Sequence, residues 1–168
     1  MTLDDVNRVD RTGFVAALGG IFEQSPWVAE HAFAARPFAS VDDLHTAMVA
    51  AVRGASDAQQ LTLVRAHPEL AGKAAIRNEL TADSAQEQTA AGLGACSTSE
   101  FAQLTELNAR YNAKFGFPFI LAVKGYDRAG IIAEFTRRVE HDRPTELAEC
   151  LQQIATITRF RLQAMLAD

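Results

Sequence analysis

The sequence predicts an all-α fold, a single compact domain of about eight helices over residues 1–168. Three observations lead there. Apolar residues recur at three- and four-residue spacing through most of the chain, and credible strands are nearly absent. Ser, Thr or Asp stands before one periodic stretch after another, as helix caps do. The 168 residues are 48% apolar, enough for one sizeable core, and no repeat, low-complexity tract or long linker divides them.

The elements follow in order. Asp10 caps a helix whose apolar positions are Phe14, Leu18, Ile21 and Phe22. Ser25 followed by Pro26 reads as an N-cap with proline at the first helical position, opening a helix toward Ala35. Ser40 to Asp43 resembles a capping box, with Leu44, Met48 and Val52 on one face beyond it. Ser56-Asp57 starts a helix through Leu61 and Val64 that ends at about 66, because Pro68 pushes His67 out of the α region. Thr81 or Asp83 begins a helix running to about Gly92. After Thr98-Ser99, the residues Phe101, Leu104, Asn108, Tyr111 and Phe115 stay in step, with Gly116 as C-cap. The run FPFILAV at 117–123 is too brief for a helix and reads as a buried extended segment or loop. Helices at about 128–141 and 144–166 complete the chain.

Charge and motifs exclude several function classes. The formal net charge of -5 and pI near 5.4 come without any Lys/Arg run, so no nucleic-acid partner is expected. Cys96 and Cys150 stand far apart with no CxxC pattern and read as reduced thiols. The acidic start MTLDDVNRVD is unlike a secretory or transit segment, no apolar run reaches membrane-span length, and AMLAD carries no peroxisomal address. A cytoplasmic location is expected. No HxxxH, HExxH or carboxylate-histidine cluster predicts a metal site, and no P-loop, GxGxxG or GxSxG predicts a nucleotide or a nucleophile elbow.

Three groups remain as candidates for chemistry. His67 sits at a helix exit, where it either compensates the helix dipole or moves a proton. Ser84, Glu87 and Gln88 share one helix face and form either a solvated polar patch or a hydrogen-bonding site. In the last helix Arg161 falls inside the stripe of Leu147, Leu151, Ile154, Ile157, Leu162 and Met165, whereas Arg159 points away. A charge on a core face must be paired or must line a polar cavity. Arg161 is therefore either half of an internal salt bridge or a fork held for an anionic ligand. His31 and His45 lie within helices, and His141 reads as a solvated helix end.

In this order the blocks SPWVAEHAFAARPF, RAHPELAGKA, SAQEQTAAGL, LNARYNAKFGFPFILAVKG and the terminal RFRL resemble one family. It is the 2-oxo-4-hydroxy-4-carboxy-5-ureidoimidazoline (OHCU) decarboxylase family, which completes the conversion of urate to (S)-allantoin. The resemblance covers nearly the whole chain. It implies an all-α, homodimeric enzyme that needs no cofactor and acts on a small ureido-imidazoline. Carried over by motif, it makes His67 the catalytic residue, aided by Glu87. It assigns the block Ser84, Ala85, Gln86, Glu87 and Gln88 to the substrate. Pro68 packs on the ligand, and Phe119, Ile120, Leu121, Ala122 and Val123 line the pocket, partly through main-chain groups. Arg161 matches the arginine of the terminal motif. Two other readings stand beside this one: a related helical enzyme for another ureide or purine-derived acid, and a helical interaction module without chemistry.

Overall fold

The structure, a computed structural model, describes residues 1–72 and 79–166. All regular structure among them is helical. The chain divides into two compact units, one formed by Met1–Ala66 with Ile154–Asp168 and one by His67–Gln153.

The first unit holds α1 (Leu3–Arg8), α2 (Arg11–Leu18), α3 (Trp27–Ala32) with a 3₁₀ turn at Phe33–Ala35, α4 (Val41–Arg53) and α5 (Asp57–Ala66). Its core is Phe14, Leu18, Val28, Leu44, Met48, Leu63 and Leu162, each almost fully buried. Burying a side chain of this size contributes roughly 1.5–3 kcal/mol. Arg36 lays its guanidinium over the Phe33 ring at 3.7 Å and donates to the Val9 carbonyl at 2.6 Å, so one cation closes the end of α1 against the aromatic core.

The second unit holds α6 (Ala82–Ala90), a 3₁₀ turn at Leu93–Ala95, α7 (Thr98–Phe115) and α8 (Arg128–Arg138). The long α9 (Arg143–Met165) supplies its first part here and its last part to the first unit. Tyr111 of α7 is packed by Phe115, Phe117, Phe119 and Phe135 at centroid distances of 4.6 to 6.0 Å. α7 opens with a capping box between Ser97 and Glu100 and closes at Gly116, whose φ of 73° is the left-handed conformation that favours glycine. The chain then enters 117–123 without regular structure, and Phe117 and the residues from Phe119 to Val123 are all buried.

Several boundaries differ from the sequence expectation. α1 was not expected; Thr2 and Asp5 form a capping box for it. α2 stops at Leu18 because Gly19-Gly20 follow, although Ile21 and Phe22 stay buried in the turn beyond. Ser25 does not cap α3: its hydroxyl donates to the Glu23 carbonyl, and α3 begins without a side-chain cap. α8 ends at Arg138, short of residue 141. His141 is no solvated end, since its Nδ1 lies 2.9 Å from the buried carboxylate of Glu146. Lys73 and Ala74, the end of the RAHPELAGKA block, lie outside the described residues.

Candidate active site

The candidate site begins where α5 stops. Ser56 and Gln59 cap each other at the start of α5, which runs to Ala66 and leaves His67 as the first residue outside it. His67 is only 6% exposed, so the imidazole is enclosed rather than presented at the surface. Pro68 and Glu69 are partly exposed and Leu70 is buried. Ala71 takes a φ of 50°, and the chain turns so tightly that a Cβ on Gly72 would sit 2.6 Å from Glu69 Cβ.

Side chains from two helices hold this turn by its main chain. Gln88 of α6 uses both ends of its amide: Nε2 donates to the Glu69 carbonyl at 3.2 Å, and Oε1 accepts from the Ala71 N–H at 3.0 Å. Asn108 of α7 donates to the Leu70 carbonyl at 3.0 Å. Asn112, one turn further on, donates to the Glu69 carboxylate. The HPEL segment is thereby bracketed to the SxxEQ helix.

On α6, Thr81 caps the first turn. Ser84 and Gln88, four residues apart, face inward at 4% and 6% exposure. Glu87 and Ala85 are half-buried, and Gln86 is exposed. A cavity of about 630 Å³ opens beside Ala71, Ala85, Gln88 and Thr89 and is bounded beyond them by Leu93 and Phe101. Neither His67 nor Glu87 nor any residue of 119–123 lines it.

The 119–123 segment is fixed from below by charge. Arg138, with no exposed surface, donates from Nη1 to the Ile120 carbonyl at 2.6 Å and from Nε to Glu146 at 2.9 Å. Its guanidinium also covers Phe119 at 4.4 Å, and Phe119 stacks on Phe135 at 3.9 Å. The Ala122 N–H donates to Gln153 Oε1 at 2.9 Å, and the Val123 carbonyl accepts from the Tyr126 N–H. The segment is thus buried and held through its own main chain.

Arg161 lies in the first unit, 7% exposed. Its Nη1 meets Glu23 at 2.9 Å and the Ile21 carbonyl at 3.3 Å, so the internal ion pair, one of the two alternatives for a core-facing arginine, is present. Arg159 is exposed and pairs with Asp42, in keeping with the angle read from the sequence.

The sequence profile of the family described as OHCU decarboxylase matches residues 7–163. The chain belongs to the OHCU decarboxylase family. A 2-oxo-4-hydroxy-4-carboxy-5-ureidoimidazoline decarboxylase of Haloferax volcanii is 46% identical over 96% of this chain and 94% of its own length. The uric acid degradation bifunctional protein PucL of Bacillus subtilis is 41% identical over 99% of this chain, which spans 33% of that longer protein. Among solved structures, an (S)-allantoin synthase superposes with a TM-score of 0.79 at 28% identity; it covers 99% of this chain, and this chain covers 54% of it.

Within this OHCU decarboxylase-family fold, His67, Pro68, the 84–88 block and the 119–123 wall all fall in the second unit. Sequence reasoning did not single out Asn108, Asn112, Gln153 or Arg138. A signal existed for two of them. Asn108 is a polar residue in step with the apolar positions of α7, and Arg138 continues the stripe of Ile131 and Phe135, the argument that found Arg161.

Proposed function

We propose that this chain decarboxylates 2-oxo-4-hydroxy-4-carboxy-5-ureidoimidazoline to (S)-allantoin, the closing step of urate degradation. The observation that carries this reading is 46% identity along nearly the full length of a decarboxylase bearing that substrate's name. The enclosed His67 and its bracketed loop supply the chemistry.

The substrate's name places a hydroxyl and a carboxylate on ring carbon 4, beside a ring C=N whose carbon bears the ureido group. When the C4–carboxylate bond breaks, its electron pair forms a bond between carbons 4 and 5. The former C=N pair moves to nitrogen, which takes a proton. The substrate is its own electron sink, so the reading calls for no cofactor. The enol then loses its hydroxyl proton while carbon 5 gains one on a single face.

In this reading His67 handles the hydroxyl proton, as a group with an ordinary pKa near neutrality can both take and return one. Positioned acid/base help of this kind is worth about 10²–10⁴-fold. Glu87 fixes the ureido and ring N–H groups and disfavours the ground-state carboxylate beside it. Ser84 adds a hydrogen bond, and Ala85, Gln86 and Gln88 complete the block. The buried run from Phe119 to Val123 excludes water, which favours loss of carbon dioxide from a poorly solvated carboxylate. Pro68 packs on the ring, and Arg161, oriented by Glu23, holds an anionic group of the substrate.

The same reading makes the chain a cytoplasmic homodimer. Light scattering then reads about twice the 18.2 kDa chain mass. The test of the activity follows ¹³C-labelled substrate generated in place from urate. Loss of the carboxyl signal faster than the spontaneous decay supports the reading, and decay at the protein-free rate overturns it.

A further inference from the structure

We infer that Asn108 is a positioning residue for His67: its amide fixes the turn that carries the imidazole, and that is its polar role in the fold. The inference rests on the decarboxylase reading above and adds a residue to it.

The Asn108 side chain is 94% enclosed, at 6% exposure, on a helix face otherwise occupied by Leu104, Leu107, Tyr111 and Phe115. Its Nδ2 donates to the Leu70 carbonyl at 3.0 Å. Its Oδ1 is buried and meets no hydrogen-bond partner among the described residues. An amide retained only to satisfy the core would engage both ends, because a buried acceptor left unpaired is costly. What the asparagine secures is one bond to a carbonyl three residues after His67.

The bond does not act alone. Gln88 takes the carbonyl of Glu69 and the N–H of Ala71, so three consecutive residues are gripped by their main chain from α6 and α7. The turn also carries Ala71 at a φ of 50°, a conformation that persists only where its surroundings impose it. The Leu70 carbonyl and the Ala71 N–H are two ends of one peptide plane, so Asn108 and Gln88 clamp that peptide together, and Gln88 also holds the Glu69 carbonyl before it. Without Asn108 that peptide keeps only its bond to Gln88, so it tilts about a single restraint and the displacement passes to His67, three residues back.

The exchange Asn108→Leu separates this role from a structural one. It removes the unpaired Oδ1 but leaves the Leu70 carbonyl unpaired, one buried acceptor for another, so the unfolding temperature stays close to wild type. Turnover falls at least about tenfold and up to about 10²-fold, the cost of a small misplacement of a reacting group. KM moves less than kcat, because Ser84 and Glu87 stay in place on α6 and only Pro68 shares the displaced turn. The His67 imidazole resonances, assigned by their absence from His67→Asn, shift in the Asn108→Leu spectrum. Asn108→Ser, whose hydroxyl is too short to reach the carbonyl, gives the same pattern and serves if the leucine variant does not fold. Wild-type turnover in either variant overturns the inference. So does a loss of turnover that tracks a loss of stability while the His67 resonances stay in place. Failure of the underlying reading looks different: the wild-type protein itself would not accelerate decarboxylation.

Discussion

At the scale of single residues, burial decides which polar groups take part. Arg161 and Arg159 are two positions apart, yet one is enclosed beside Glu23 and the other pairs with Asp42 at the surface. Arg161→Lys keeps the charge but loses the planar fork, so KM should rise about tenfold or more with a smaller change in kcat. Steady-state kinetics checks this; an unchanged KM would confine Arg161 to its pair with Glu23. His45 offers a test by pH. Its Nε2–H donates to the Ala155 carbonyl at 2.8 Å, and burial, the largest influence, holds its pKa below the ordinary 6.5. As pH falls, the unfolded chain binds the proton before the folded one does. Stability is full above about pH 6.5 and declines as pH drops toward the depressed folded pKa. His45→Gln should lack that decline when urea midpoints are compared between about pH 7.5 and 5. Parallel slopes in the two proteins would contradict it. From the sequence the angle of Arg161 was legible, because the apolar stripe of α9 is regular. The partner Glu23 was not, because it comes from a turn distant in the chain.

At the scale of elements, the helices with strong caps were legible nearly to the residue. α5 ends at Ala66 and α7 at Phe115, where Pro68 and Gly116 leave the backbone little choice. α1 escaped because its box uses Asp5 where Glu or Gln is usual and because it is only six residues long. The extended reading of Ile21 and Phe22 as helix failed because burial in a turn leaves the same apolar spacing as burial on a helix. Ser97 supports a direct test of cap energetics. Ser97→Ala removes a bond to the Glu100 N–H and should cost about 1 kcal/mol in denaturant unfolding. The Glu100 carboxyl, held below its ordinary value first by the Ser97 N–H and then by Arg128, contributes stability that is present above about pH 4.5 and lost as pH falls further. A stability unchanged within error in Ser97→Ala would show that α7 is held by its packing alone.

At the scale of the whole molecule, the family relation was legible from ordered motifs, and the residues that make the motifs work were not. The 119–123 wall reads as an apolar run, but it is held by Arg138, Glu146 and Gln153, which lie 15 or more positions further along the chain. Long-range pairings of this kind leave no local pattern. The second unit is therefore sensitive to the buried pair of Arg138 and Glu146, with Tyr111 donating to the same carboxylate. Arg138→Met strands Glu146 and should cost roughly 3–5 kcal/mol, while Arg138→Met with Glu146→Leu recovers much of that loss. Thermal or denaturant unfolding of both variants decides it; equal losses would mean that the charge pair is not the cause. Cys150 reports on the same core. Burial pushes its thiol pKa up to about 11, so alkylation should be slow in the folded protein and fast once the second unit opens.

The most direct measurement follows the circular dichroism of (S)-allantoin formed from substrate generated in place from urate, with wild-type protein and His67→Asn side by side. If His67 carries the decarboxylation, the wild type gives rapid, enantiopure product and the variant nothing faster than spontaneous decay. Slow racemic product from both, or an undiminished rate in His67→Asn, would contradict it.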